Sequence, residues 1–565
     1  MNDMANPGFG GAYGAPGTDR AGLGDHDDRL PNSAQPMGVV LEISGAGGLI
    51  ALDLERLAEC GADADPSIAQ SGLVGSQIRI MAGQTCLLAS IRDQKQGRRA
   101  DEGIIATVDF LGEGTLDPQS GALTGFRRGV TQYPLPGAMV YPASTRDLRH
   151  IYSGDGRAVV TIGKVHPTTT IRASLYIDSL LGKHFALLGS TGTGKSTALA
   201  LILHRICELA PQGHILMIDP HGEYASAFRQ TGLILDVSNL QLPYWLMNFE
   251  EHCEILLSSQ GENRQVDAEI LGKCLLAARQ KNRLAEALGG RITVDSPVPY
   301  LISDLQAVLH NEMGKLEKAT TTAPYVRLKS RIDELRGDPR FNFLFSGMLV
   351  GDTMVDVLSR MFRLPSAGQP IAIIDVSGVP SEVTSTVVAL LSRLVFDFSI
   401  WAREEDTRPI LLVCEEAHRY VPNEKNADGS SVGRILSRIA KEGRKYGVSL
   451  GLVTQRPSDL AEGVLSQCGT ILSMRLNNER DQAFVRAAMP EGARGFLDSI
   501  PALRNRECII CGEGVGIPMR VSFDDLEQAK RPASSDPSFS QLWRQSGDDH
   551  QMVMRTVQRW RTQGR

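Results

Sequence analysis

Gly189-Ser-Thr-Gly-Thr-Gly-Lys-Ser-Thr197 decides the fold of this chain. It satisfies the phosphate-loop pattern G-x-x-x-x-G-K-[ST]. An apolar strand, Phe185 to Leu188, precedes it, and a helical run, Ala198-Leu-Ala-Leu-Ile-Leu-His-Arg-Ile206, follows. That context confirms the motif, because the loop works only between a strand and a helix N-terminus. Without side chains at Gly189, Gly192 and Gly194, backbone N–H groups can converge on phosphate oxygens. Ser190, Thr191, Thr193 and Thr197 complete the cradle. Lys195 can reach the β- and γ-phosphates of ATP, and Ser196 can ligate Mg²⁺.

Such a loop needs an acidic residue at the end of another strand. Ile410-Leu-Leu-Val-Cys-Glu415-Glu416 is an apolar strand ending in two carboxylates. Mg²⁺ is a hard cation that takes oxygen ligands. Glu415 therefore falls on the metal side, and Glu416 is placed to orient the attacking water. Asp219-Pro-His-Gly-Glu-Tyr224 follows the strand His214–Ile218, and Thr454-Gln-Arg-Pro457 follows Val448–Val453. Both are strand tips where α/β proteins gather ligands. Gln455 can sense a γ-phosphate there, although either segment alone also reads as an ordinary polar loop.

Outward from these motifs, residues 166–525 alternate strands and helices. The apolar runs at 184–188, 214–218, 370–374, 409–413 and 448–453 read as buried parallel strands of an α/β sheet. Between about 250 and 365 the pattern turns helical and charged, which predicts a helical insertion with a solvated face. Residues 36–165 carry short β-branched runs separated by Gly, Pro and Asp, the texture of a small all-β barrel or sandwich. Residues 1–35 are rich in Gly, Ala, Pro and Asp, a flexible tail by composition. Residues 526–565 form a second tail. In it Val553, Met554, Val557 and Trp560 share helical spacing, for a docking helix or a solvated one.

The whole chain has 565 residues, 59 Lys+Arg against 65 Asp+Glu, and a net charge of −6. That excludes a protein that binds nucleic acid through an all-over basic surface, but not a basic channel in an acidic shell. At 5% aromatic residues, a surface built mainly of base-stacking platforms is disfavoured. The nine cysteines follow no disulfide spacing, which suits a reducing compartment. The lone CxxC, Cys508 and Cys511, lacks further ligands for a zinc site and reads as part of an apolar strand. The N-terminus has neither the basic start nor the apolar core of a secretory signal, and runs such as Pro409–Cys414 are too short to span a bilayer. The expectation is a cytoplasmic protein.

GSTGTGKST (189–197), DPHGEY (219–224), LPYWLMNFEE (242–251), EEAHRYVP (415–422), KEGRKYG (441–447) and TQRPS (454–458) occur in this order. Together they resemble the HerA family of DNA-translocating ATPases, within the FtsK/HerA group. Segment 37–165 is similar in position and texture to that family's HAS-barrel. The resemblance implies a RecA-like motor acting as a hexameric ring on double-stranded DNA, with ATP between subunits. It also implies an arginine supplied to the neighbouring site; Arg444, in Glu442-Gly-Arg-Lys445, matches that position. Where family members often carry Arg-His, this chain has Lys183-His184. DNA-contacting candidates are Asn423–Arg434 and the basic run Arg438–Lys445, or both are surface loops. The implied partner is a nuclease of NurA type or a phage-defence effector. Two rivals remain: a nucleotide-gated scaffold for such an effector, and a secretion- or conjugation-type ATPase.

Overall fold

The computed structural model describes residues 32–562, except 98–102, 120, 153–155, 169, 258–262, 317–318, 346–350, 406, 424–429, 490–492, 534–538, 545–546 and 548. The N-terminal tail to residue 31, most of the candidate DNA loop after Asn423, and the 534–538 linker lie outside them.

Strands β1 (Gly38–Ile43), β2 (Gly47–Leu52), β3 (Gln77–Ala82), β4 (Thr85–Gln96), β5 (Ile104–Leu116), β6 (Leu123–Arg128) and β7 (Met139–Pro142) form one antiparallel sheet. The order β2-β1-β7-β3-β4-β5 returns to β2 through a β2–β5 pairing, so these strands close a barrel and β6 hangs outside it. Closure removes the free edges. Met37, Val40, Ile50, Ile78, Ile80, Leu87, Ala89 and Val108 fill the interior.

A larger sheet contains β8 (Val159–Val165), β9 (Arg172–Tyr176), β10 (Phe185–Leu188), β11 (Ile215–Asp219), β12 (Gly232–Leu235), β13 (Ile371–Asp375), β14 (Ile410–Cys414), β15 (Val448–Thr454), β16 (Thr470–Ser473), β17 (Glu507–Gly512) and β18 (Met519–Phe523). The order β12-β13-β11-β14-β15-β10-β16 is parallel, and β17-β18-β8-β9 extend it antiparallel. Strand β8 corrects the expected boundary at 165. Its backbone pairs with β18, so residues 159–165 belong to the larger sheet and not to the barrel. Strands β12 and β16 are only four residues long, too short for a periodicity to reveal.

Alternation along β10 sends Phe185 and Leu187 to one face and Ala186 and Leu188 to the other. The phosphate-loop helix, Lys195–Leu209, covers the first face with Leu199, Ile202 and Leu203. Helices Ser381–Trp401 and Ser431–Glu442 cover the second. Segment Ser381–Glu404 is the one described helix long and apolar enough to cross a membrane, which the sequence reading did not single out. Of its apolar window, 67% is buried, the mark of a core helix.

Between β12 and β13 the expected helical insertion comprises Phe249–Leu256, Arg264–Gln280, Ile302–Met313, Ala319–Gly337 and Met354–Phe362, with shorter turns. It docks on the second face through Leu271, Leu275, Leu305, Leu309, Leu328 and Ile332. A buried ion pair pins it: Arg393 of the core helix donates to both carboxylate oxygens of Glu251, at 2.8 and 2.9 Å. Cys508 and Cys511 point to opposite faces of β17 and are buried, so they cannot jointly hold a metal. The C-terminal helix spans Asp549–Thr562. Trp560 lines a groove with Phe343, Val379 and Pro380, while Val553 and Met554 stay exposed.

Gly451 lets β15 lie against β10. A Cβ there would sit 2.6 Å from Cζ of Phe185, a fully buried ring. Gly451→Ala is therefore expected to cost about 1–3 kcal/mol of stability through overpacking, read as a lower midpoint in urea unfolding.

Candidate nucleotide site

The register of the parallel strands assembles the site. Leu188 pairs with Thr454, and Cys414 with Leu452 and Ile218. The residues that follow these strands therefore emerge at one carboxyl edge. Gly189 N–H donates to Thr454 O at 3.3 Å, joining the phosphate loop to the tip of β15. Gly192 (φ +78°) and Gly194 (φ +93°) take the left-handed turns that close the loop, and Gly194 caps the following helix. Thr193, fully buried, donates through Oγ1 to Ser190 O at 2.8 Å and tightens the loop on itself. Ser190 N–H is held by Arg475 O at 2.9 Å, and Asn477 N–H donates to Ser190 Oγ at 3.1 Å. The loop's shape is thus fixed by its own backbone and by Arg475 and Asn477 beside it.

Lys195 is 9% exposed. Glu415 and Glu416 are buried at 3% and 5% exposure. Burial, then the nearby Asp219 and Glu223 carboxylates, push the Glu415 pKa up to about 8, with Tyr224 and Lys195 acting in the opposite direction. Its Oε2 has no hydrogen-bond partner, whereas Oε1 accepts from the Tyr224 hydroxyl at 3.0 Å. Glu416 sits at φ +50°, ψ +44°, a left-handed conformation that costs a residue with a Cβ roughly 1–3 kcal/mol. Its Oε2 lies 3.2 Å from His418 Nδ1, without hydrogen-bond alignment, while His418 Nδ1 reaches Thr454 Oγ1 at 3.0 Å. Burial keeps His418 below its ordinary pKa despite Glu416 beside it. Thr191 Oγ1 hydrogen-bonds Gln455 Oε1.

Lys195, Ser196, Glu415, Glu416 and Gln455 therefore share one edge with the phosphate loop. Arg444 does not. It lies exposed in the turn before β15, at the opposite end of a seven-residue strand, roughly 23 Å away at about 3.3 Å per residue. Lys183 pairs with Glu513. His184 accepts Leu450 N–H at Nδ1 and faces Ala440 O through Nε2, so it ties β10 to its neighbours as a neutral ring. Of the basic run, Arg438 is engaged by Glu442 and lies 5.0 Å from the Phe396 ring centre.

Sequence reasoning missed how Asp219 and Tyr224 serve the site. The Asp219 carboxylate accepts N–H groups of His221, Gly222 and Tyr224 at 2.9–3.1 Å, folding 219–224 into a tight turn. Asp-x-x-Gly after an apolar strand was the available signal.

Among the described residues no group of three or more His, Cys, Asp or Glu forms a metal cage. A Mg²⁺ brought by a nucleotide asks less, since phosphate and water supply most of its ligands. The Ser196 hydroxyl and the unpartnered Glu415 Oε2 fit that demand.

A parallel sheet bearing this loop, with two buried carboxylates at the tip of a nearby strand, defines a P-loop nucleoside triphosphatase. Residues 160–395 match the family model described as the central domain of the helicase HerA. The DNA double-strand break repair helicase HerA of Pyrococcus furiosus is 27% identical over 486 residues, covering 80% of this chain and 82% of that protein. The HerA of Sulfolobus acidocaldarius is 26% identical over 76% and 80% of the two chains. Among solved structures, VirB4 of Thermoanaerobacter pseudethanolicus is similar over 67% of this chain and 99% of its own, at 16% identity and a TM-score of 0.47. The chain is thus similar to the HerA helicases, through its central domain and over most of its length.

The raised Glu415 pKa makes a signed prediction for the nucleotide-free protein. An unfolded Glu loses its proton near its ordinary 4.5, the folded one near 8. Between these values the folded state binds more protons, so this group lowers stability as pH rises from about 4.5 to 8. Glu415→Gln removes that loss. It should stabilise the protein by about 1–3 kcal/mol at pH 8.5, with the gain shrinking toward pH 5, as followed by denaturant unfolding.

Proposed function

We propose that this protein is an ATP-driven motor that translocates along double-stranded DNA as a ring, in double-strand break processing with a separate nuclease. The observation that carries the reading is the buried Glu415–Glu416 pair facing the Lys195 loop, with Arg444 at the far end of β15. The relatives named as double-strand break repair helicases support DNA as the substrate. The nuclease partner, of NurA type or a defence effector, rests on the family resemblance, and a cytoplasmic setting on nine cysteines without disulfide spacing.

The chemistry follows from the residues. Lys195 and the loop N–H groups hold the phosphates and offset their charge. Mg²⁺, when bound with ATP, would add a Lewis acid beside Ser196 and Glu415. Glu416 hydrogen-bonds a water and accepts its proton as the water oxygen bonds the γ-phosphorus. The bond to the bridging oxygen breaks, releasing ADP and phosphate. Gln455, tethered to Thr191, reads whether the γ-phosphate is present. Arg444 cannot reach its own loop along the strand. It therefore serves the nucleotide of an adjacent subunit, which makes hydrolysis depend on assembly.

Lys195→Ala should abolish DNA-stimulated ATP hydrolysis, whereas Glu416→Gln should bind ATP normally and lose about 10²–10⁴-fold in turnover. Full activity in either variant sinks the site assignment. Triplex displacement by the wild-type chain separates a motor from a scaffold that only binds ATP. Arg444→Ala should lower kcat by about 10³-fold or more with nucleotide affinity nearly unchanged. Mixing it with Lys195→Ala subunits should restore part of the activity, because some interfaces then pair an intact loop with an intact arginine. No recovery on mixing would rule out action between subunits.

A further inference from the structure

The turn Asp219–Tyr224 buries a phenol directly beneath the two oxygens that suit a cation. Tyr224 is fully buried. Its hydroxyl donates to Glu415 Oε1 at 3.0 Å, and the Ser196 side chain lies beside it. A phenol has one proton to give and lone pairs to receive. With its proton committed to Glu415, it can only accept from the Ser196 hydroxyl beside it. Two consequences follow. A Ser196 hydroxyl that gives its proton to the phenol keeps both lone pairs for another partner. On Glu415, Oε1 is occupied and Oε2 is the oxygen without a partner. The three N–H bonds to Asp219 fix the turn, and Glu415 N–H bonds Ile218 O at 3.2 Å, so the phenol cannot drift from either oxygen.

We propose that Tyr224 is a positioning residue that sorts the lone pairs of Ser196 and Glu415, presetting them for the divalent cation that accompanies the nucleotide. This deepens the proposed ATPase reading and rests on it. The hydroxyl is fully buried and bonded to Glu415, so its effect falls on cation affinity and not on nucleotide affinity as such.

The test uses the full chain, Mn²⁺ as probe and a non-hydrolysable ATP analogue. Bound Mn²⁺ is read by electron paramagnetic resonance, and metal-free nucleotide binding by fluorescence in EDTA. Tyr224→Phe keeps the ring and removes the hydroxyl. It should weaken Mn²⁺ binding in the presence of the analogue by about 5–10-fold, the worth of one hydrogen bond. Metal-free nucleotide affinity should stay within about 2-fold, since the phosphate loop is untouched. In a Ser196→Ala background the same substitution should weaken Mn²⁺ less, because one of the oxygens it orients is gone. Unchanged Mn²⁺ affinity, an equal loss of metal-free nucleotide affinity, or an undiminished effect without Ser196 each overturns the proposal. Should Tyr224→Phe lose its cooperative melt, Tyr224→Met, flexible enough to fill the space, is held to the same outcomes. A wild-type chain that binds no nucleotide at all defeats the ATPase reading itself, and this proposal with it.

Discussion

Everything at the candidate site depends on the parallel register of β11, β14, β15 and β10. A parallel ladder aligns strand ends, so four segments distant in sequence deliver their next residues to one edge. The Leu188–Thr454 and Cys414–Ile218 pairings place Gly189, Gln455, Glu415 and Asp219 within reach of each other. A one-residue slip in any of these strands would turn its core residues to the wrong face. The alternation of Phe185 and Leu187 against Ala186 and Leu188 between two different cores forbids such a slip. Packing thus enforces the geometry of the chemistry.

That geometry is held at a cost. Two carboxylates lie buried side by side, one with its pKa pushed to about 8 and the other on a left-handed backbone, and each keeps an oxygen without a hydrogen-bond partner. Solvent would quench the cost and also the function, since charge groups act more strongly where water is excluded. The surrounding core supplies what offsets it: Tyr420 and Ala417 on the same turn are buried, as are Tyr224 and Thr454 opposite. Strain of this kind persists only where the neighbours over-determine the conformation.

The appendages are tied to the same sheet by few but specific contacts. Arg128, at the end of β6, donates to the carbonyls of Gly512 and Gly516 at 2.6 and 2.5 Å and to that of Val515. Asp109 of the barrel accepts Gly495 N–H at 3.0 Å while pairing with Arg92. After β18 the chain runs back across the motor: Lys530 pairs with Glu208 of the phosphate-loop helix, and Ala533 N–H meets Glu223 O beside the site. The C-terminal segment therefore touches the turn beside the nucleotide edge, whereas Arg128 anchors the barrel at the opposite end of the sheet, where Gly512 pairs with Thr470.

The sequence by itself determined the phosphate loop, the Glu415–Glu416 tip, the central strands and the helical insertion. Each is a local pattern: a glycine spacing, an apolar run of strand length, a helical period. It also carried the family resemblance, because collinear motifs survive in order. Tertiary structure alone decided the rest. Nothing local tells that β8 leaves the barrel to pair with β18, that Cys508 and Cys511 face apart, or that four-residue β12 and β16 are strands at all. Those are pairings across long stretches of chain, settled by which backbone groups and apolar faces remain to be satisfied. The same holds for Tyr224 and Arg444. Sequence marks a tyrosine and an arginine; only the sheet puts the first beneath Ser196 and Glu415 and the second at the opposite edge from its own phosphate loop.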